Sequence, residues 1–160
     1  MLEKKLIQNH DFLISDISYV MLYSTHIMRE ILQNILIHPD SYKKWQIEKD
    51  FEADIFRFLR KFWYFCYHVQ DIGLWQKLLD GICIDLEGKV FFIEFKKTDW
   101  YTYNMSQFEP SQIRLLEMML LRWTEVYIMI YSQKTKTYWV GKYEYLKSQA
   151  NSVWWIKLFQ

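Results

Sequence analysis

The segment from Leu79 to Lys96 constrains the fold of this chain more than any other part of its sequence. Two apolar runs flank a short polar stretch at residues 86–89, and this pattern predicts a β-hairpin. Glu94 and Lys96 interrupt the second run, and side chains two residues apart in a strand share a face. Burying such a carboxylate and amine together costs desolvation free energy, for which a bound divalent cation would compensate.

Two aspartates could accompany Glu94, and the register of the hairpin decides between them. If residues 86–89 form a tight turn, Asp85 lies opposite Val90, about 13 Å from Glu94 at ~3.3 Å per residue. That distance is too long for both carboxylates to bind one ion. Asp80, at the entry of the first strand, is level with the end that carries Glu94.

The participation of Asp80 depends on a shift of one residue in this register. A two-residue turn would place Asp80 opposite Phe95, on the wrong face of the hairpin. A three-residue loop or a bulge would bring it next to Glu94, and Gly81 is a suitable position for such an irregularity.

Hydrophobic periodicity predicts the other elements of the chain. The last long helix has Ser106 and Glu109 at capping-box spacing and Pro110 in its first turn. The predicted elements are helices at 16–37, 42–62, 110–123 and 142–148, and strands at 62–69, 81–96 (the hairpin), 125–131, 137–140 and 154–158. This order predicts a single α/β (α+β) domain over residues 1–160, with a mixed sheet flanked by helices.

Composition excludes several classes of protein. Cys66 and Cys83 lie in apolar runs, where they are expected to be core thiols of a cytoplasmic protein rather than a disulfide framework. The four histidines have no zinc-ligand spacing, and without a Gly-rich phosphate loop no nucleotide cofactor is expected. No signal peptide and no apolar run of ~20 residues is present, so no membrane association is expected. The net charge of +1 decides nothing.

Asp80, followed after 13 residues by Glu94-Phe95-Lys96, resembles the active-site core of the PD-(D/E)xK nuclease superfamily. The run LLDGICIDLEGKVFFIEFKK is similar to Holliday-junction resolvases and to related phage and viral repair nucleases. Many members carry an acid on an upstream helix, which Glu52 matches, with Glu48 as the substitute. A Gln at the start of the next helix matches Gln112. The chain departs from the family at Leu79, where proline is common.

This resemblance covers residues 48–132 and implies a restriction-endonuclease-like core, α-β-β-β-α-β, over 42–132. Residues 1–40 are then a helical extension and 133–160 a β-rich one. The implied activity is an endo- or exonuclease that needs Mg²⁺ or Mn²⁺ and cleaves DNA in recombination, repair or the processing of viral or mobile-element DNA. A homodimer is also implied.

The resemblance also implies a role for each matched residue. Asp80 and Glu94 would bind the metal ion, Lys96 would orient the attacking water or stabilise the transition state, and Glu52 would bind a second ion or a metal-bound water. Gln112 would position the nucleophile.

Basic and aromatic residues next to this motif are candidate contacts for DNA. Aromatic rings alternating with polar groups can stack on unpaired bases, and lysines can contact phosphates. The candidates are Lys97, Trp100, Tyr101, Tyr103, Lys134 and Lys136. Two alternatives remain: a catalytically inactive binding or interaction module of the same fold, and an unrelated α/β protein in which Asp80 and Glu94 lie on opposite faces.

Overall fold

The structure is a computed structural model that describes residues 27–69, 79–150 and 156–157. The chain divides into two compact units between Asn34 and Ile35. In the first unit, residues 27–33 are helical, as predicted, and the Asn34 side chain donates a hydrogen bond of 2.7 Å to the carbonyl of Glu30. Residues 16–26 of the same predicted helix lie outside the described residues, as do residues 154, 155 and 158 of the last predicted strand.

The second unit contains the helices and strands that position the candidate site. The helices are α1 (Ile47–Lys61), α2 (Pro110–Leu121) and α3 (Tyr143–Ala150), and the strands are β1 (Phe65–His68), β2 (Gly81–Ile84), β3 (Val90–Thr98), β4 (Thr102–Tyr103), β5 (Glu125–Ser132), β6 (Thr137–Lys142) and β7 (Ile156–Lys157). In this described part of the chain, no helix is long and apolar enough to cross a membrane.

Five of these strands form one mixed sheet in the order β1-β2-β3-β5-β6. The central pair, β3 and β5, is parallel, and the other neighbours are antiparallel. A parallel pair needs a crossover connection, which α2 supplies. The predicted fold class, a mixed sheet flanked by helices, is confirmed. β4 and β7 pair separately as a two-stranded sheet.

The two faces of β3 are covered by different helices. Phe91, Ile93 and Phe95 point to the face covered by α1, where the Phe51 and Phe56 rings meet Phe95 edge-on with centroids 5.5 and 5.4 Å away. The intervening residues of β3 point to the face covered by α2. Phe51, Ile55 and Leu59 of α1, spaced at i, i+4 and i+8, share one face of the helix and are buried.

The hairpin of β2 and β3 has a three-residue loop at positions 86–88. Ile84 is paired with Val90, and the Asp85 amide donates to the Lys89 carbonyl at 2.9 Å. Gly88 has a φ of +83°, which glycine adopts at little cost. The predicted register shift therefore arises in this loop, and the suggestion that Gly81 supplies the irregularity was wrong.

Gly81 is required for packing instead. A Cβ at this position would lie 2.4 Å from the Phe56 ring, so α1 can approach the hairpin closely only because the side chain is absent. Gly81 is a regular residue of β2, paired with Ile93.

Several sequence-based boundaries were wrong in detail. The N-cap of α2 is Glu109 rather than Ser106, while Pro110 begins the helix as predicted. α2 ends at Leu121 rather than at the predicted residue 123, and Trp123 is exposed with a φ of 57°. Phe62 is also exposed, because α1 ends before it.

Candidate active site

Asp80 and Glu94 lie side by side at one end of the hairpin. Gly81 is paired with Ile93, so the preceding residue, Asp80, comes level with Glu94 on the same face. Oδ2 of Asp80 accepts a hydrogen bond of 2.6 Å from the Phe95 amide, which fixes the carboxylate against β3. Asp85 instead closes the loop at the far end, where it accepts from the Glu87 and Lys89 amides.

Glu94 is the most deeply buried charged residue of this group, with 1% of its surface exposed. Its Oε1 lies 2.7 Å from Nζ of Lys96 and accepts a hydrogen bond of 2.8 Å from Nε2 of Gln112. Lys96 in turn donates to Oε1 of Gln112 at 3.1 Å. The three side chains form a closed ring of hydrogen bonds on the α2 face of the sheet.

The start of α2 positions Gln112 for this contact. Gln112 is the third residue of the helix, and its Oε1 also accepts from the Glu109 amide at 3.3 Å, as in a capping box. The side chain is therefore held from both sides, by the helix N-terminus and by Lys96. This local geometry aims Nε2 at Glu94.

The ammonium group of Lys96 also contacts the aromatic ring of Phe108. Its Nζ lies 5.1 Å from the ring centroid of Phe108, within the range of a cation–π interaction. The sequence contained no signal for this contact, because Phe108 lies in the irregular segment between β4 and α2.

The electrostatics of the pair favour a proton or a cation between the two acids. Burial, followed by the negative charge of Asp80, raises the pKa of Glu94 from 4.5 to about 8, although Lys96 acts in the opposite direction. Oε2 of Glu94 is buried and accepts no hydrogen bond from the described residues. In the metal-free protein a proton on Glu94 can be donated to Asp80, and a bound cation would take the place of that proton between the two carboxylates.

The residues fit a hard divalent cation. Mg²⁺ and Mn²⁺ prefer oxygen ligands, and Mg²⁺ commonly binds through one or two carboxylates while it keeps several waters. Asp80 and Oε2 of Glu94 supply such oxygens. The described residues contain no cluster of three or more His, Cys, Asp or Glu side chains suited to a metal ion, so water or substrate would complete the coordination.

Glu52 and Glu48, the candidate acids on α1, are not part of the hydrogen-bonded ring of Glu94, Lys96 and Gln112. Glu52 is buried, and its Oε1 lies 2.9 Å from Nε2 of His68. His68 is paired with Gly81, next to Asp80, so Glu52 is anchored at the same end of the sheet as the acid pair. The charge of Glu48 acts on the hydroxyl of Tyr103, which is also affected by Glu94.

The predicted DNA contacts lie where β3 and β5 end. Lys97 and Lys134 are exposed, as are Tyr101 and Trp100, which is 62% exposed. The loop at 99–101 is tied to the β5–β6 turn, because Ser132 Oγ donates to the Trp100 carbonyl at 2.8 Å and the Gln133 side chain donates to Asp99.

Two of the predicted contacts need correction or qualification. Tyr103 is completely buried in the core beneath α2 and α3, so its prediction as a stacking surface was wrong. β4, which carries it, pairs with β7 and leaves no open loop at this position. Lys136 is exposed but lies 2.6 Å from Asp40, which neutralises part of its charge.

Comparisons with known proteins found similarity among solved structures but not among sequences. No family model matches the sequence, and no curated protein matches it. Among solved structures, the chain is similar to Hjc from Archaeoglobus fulgidus, a Holliday junction resolvase from an archaeal hyperthermophile, with a TM-score of 0.45 and 16% identity. The match covers 59% of this chain and 74% of that one. At this level the similarity establishes no shared family, and the site is interpreted from its own geometry.

Proposed function

We propose that this protein is a metal-dependent nuclease that hydrolyses phosphodiester bonds of DNA, with its active site at Asp80, Glu94 and Lys96. The observation that carries this proposal is the register of the β2–β3 hairpin. Its three-residue loop shifts the pairing by one residue relative to a two-residue turn, so that Asp80 lies beside Glu94. Glu94 pairs with Lys96 there, and its other oxygen is buried and receives no hydrogen bond from the described residues. A purely structural ion pair has no use for the second acid.

Asp80 and Glu94 would hold Mg²⁺ or Mn²⁺, an ion that when bound polarises the scissile phosphate and lowers the pKa of a coordinated water. The amide of Phe95 keeps Asp80 in place for this task. Gln112 and Lys96 hold the other oxygen of Glu94, which would leave Oε2 to bind the ion.

Lys96 would act on the phosphate itself. Among the described residues, Glu94 and Gln112 occupy two of the three N–H donors of its ammonium. The third would orient the attacking water or stabilise the negative charge that builds on the phosphate oxygens in the transition state. The Phe108 ring holds the ammonium from the side and supplies no competing hydrogen bond.

The acids of α1 and the exposed end of the sheet would have supporting roles. Glu52 would bind a metal-bound water or a second ion from its position beside His68. DNA would lie across the edge formed by Lys97, Trp100, Tyr101 and Lys134, where rings can stack on unpaired bases and ammonium groups can meet phosphates.

Cleavage of labelled DNA tests this proposal. Linear duplex, single-stranded and four-way-junction DNA are incubated with Mg²⁺, Mn²⁺ or EDTA and either the wild type, Glu94→Gln or Glu117→Gln. Glu117 is the matched control because it pairs with Lys147 on α3, away from the acid pair. Cleavage by the wild type and Glu117→Gln that needs the metal and disappears in Glu94→Gln supports the nuclease.

Equal background in all three proteins on every DNA would contradict the proposal. A retained shift of DNA in a gel would then indicate the binding module without catalysis. The substrate that is cut fastest identifies the class of nuclease.

A further inference from the structure

Tyr103 carries a buried hydroxyl that the fold does not use. The residue is 0% exposed, and its hydroxyl has no hydrogen-bond partner in the described part of the chain. Leaving such a buried hydroxyl unpaired destabilises the folded protein. Phenylalanine would fill the same space without that cost, so packing alone does not account for a tyrosine here.

The surroundings of this hydroxyl connect it with the candidate active site. The Tyr103 ring packs edge-on against Phe108, with centroids 5.9 Å apart, and Phe108 is the ring that Lys96 contacts. Tyr103 belongs to the core cluster on the α2 face of the sheet, the face that carries Glu94. Glu94 on β3 and Glu48 on α1 both act electrostatically on the hydroxyl.

Burial and these two negative charges keep the phenol protonated, because they raise its pKa well above the usual range. The group is therefore neutral, with one proton to donate and lone pairs to accept. A water bound to a divalent cation is a strong hydrogen-bond donor, and acceptors that border such an ion select where its waters lie.

We propose that Tyr103 is a positioning residue of this site, whose hydroxyl accepts a hydrogen bond from a water of the hydrated cation held by Asp80 and Glu94. This proposal rests on the proposed function, since it assumes that the acid pair binds a cation. It assigns a role to a residue that lies outside the sequence motif and seven positions after Lys96.

Binding of Mn²⁺ to the full chain without DNA tests the role of the hydroxyl. Tyr103→Phe removes only the hydroxyl, and Tyr143→Phe is the matched control. Tyr143 lies in the same core cluster, but its hydroxyl donates to Glu117 at 2.9 Å. Titration calorimetry gives the affinity for Mn²⁺, and thermal unfolding without metal reports on the fold.

We expect Tyr103→Phe to bind Mn²⁺ about tenfold more weakly than the wild type, in the range found for groups that orient metal ligands. Its metal-free unfolding temperature should be equal to that of the wild type or higher, because an unpartnered hydroxyl has been removed. Tyr143→Phe should bind Mn²⁺ like the wild type and unfold at a lower temperature.

Unchanged Mn²⁺ affinity in Tyr103→Phe would overturn the proposal. If the Mn²⁺ affinity is unchanged and only the KM for DNA rises, the hydroxyl is a substrate contact and the proposal is also overturned. The nuclease proposal is tested separately, by the cleavage of DNA. A wild type that binds Mn²⁺ more tightly than Tyr103→Phe but cuts no DNA supports the positioning role and contradicts the nuclease. A wild type that binds no Mn²⁺ contradicts both.

Discussion

Asp54 and Glu94 are both buried carboxylates, 6% and 1% exposed, but the protein surrounds them in opposite ways. Asp54 accepts hydrogen bonds from the amide of His38, the hydroxyl of Tyr42 and the guanidinium of Arg57, at 2.6 to 2.8 Å. Glu94 has Lys96 and Gln112 on one oxygen and a second acid near the other.

The two pKa values shift in opposite directions for this reason. Burial alone would raise the pKa of Asp54, but the donors around it outweigh burial and hold the pKa below 3.8. At Glu94, burial and Asp80 together outweigh Lys96 and raise the pKa to about 8. The surrounding donors satisfy the Asp54 carboxylate, whereas at Glu94 one oxygen receives no hydrogen bond from the described residues and a second acid lies beside it.

The largest expected difference between the two sites is in cleavage of DNA. Glu94→Gln keeps the shape of the side chain and removes the proposed metal ligand, so we expect cleavage to fall on the order of 100- to 1000-fold. Asp54→Asn should cleave at the wild-type rate per folded molecule. Initial rates on the preferred DNA measure both, and equal losses in the two variants would remove the distinction between the sites.

For the free energy of unfolding without metal, we expect the larger effect from the substitution of Asp54 and the smaller one from that of Glu94. Asp54→Asn replaces one acceptor oxygen by an NH₂ group that faces donors, and we expect it to lower the free energy of unfolding by about 2 kcal/mol. Glu94→Gln should leave this free energy unchanged or raise it, since the amide can donate to Asp80. Urea unfolding in EDTA gives both values, and a large loss in Glu94→Gln would show that Glu94 is structural.

The pH dependence of metal-free stability should separate the same two residues. Between pH 4.5 and about 8 the folded protein keeps a proton on Glu94 that the unfolded chain releases. Stability should therefore fall as the pH rises through this window, by about 5 kcal/mol in total, since each unit of pKa difference is worth about 1.4 kcal/mol. The pKa of Asp54 is lowered, so its contribution is present above pH 3.8 and is lost as the pH falls further.

Urea unfolding of the wild type and Glu94→Gln at several pH values checks this prediction. The slope between pH 5 and 8 should flatten in Glu94→Gln. An identical slope in the two proteins would mean that another group titrates there.

A smaller effect is expected at Gln112, which supports Glu94 and caps α2. Gln112→Ala should slow cleavage about tenfold, as for groups that orient metal ligands, and should lower the free energy of unfolding by about 1 kcal/mol because the cap is lost. Gln112→Glu keeps a capping side chain but adds a third acid, so it should restore the cap without restoring cleavage. Recovery of both properties in Gln112→Glu would contradict the role of Nε2 as a donor to Glu94.

The sequence predicted the hairpin and the order of elements well, because alternation and helical periodicity are local patterns. It also predicted that Asp80 reaches Glu94 only through a three-residue loop or a bulge, although it suggested Gly81 for the irregularity rather than the loop with Gly88. The choice between Asp80 and Asp85 required the observed register, since both spacings are compatible with a hairpin.

The contacts that form between distant segments were not predictable from local patterns. Tyr103 follows an exposed pair of aromatic residues in the sequence, but pairing of β4 with β7 buries it. Asp54 gave no signal either, because its donors His38 and Tyr42 come from the segment before α1. Such residues are identified by their tertiary partners alone.

The most direct test of the central claim is the shift in unfolding temperature caused by Mn²⁺ in the wild type, Glu94→Gln and Asp54→Asn. A ligand that binds only the folded state raises the unfolding temperature in proportion to its binding free energy. We predict a clear rise in the wild type and in Asp54→Asn, which starts from a lower temperature, and no rise in Glu94→Gln. A rise of equal size in Glu94→Gln would contradict the assignment of the acid pair as the cation site.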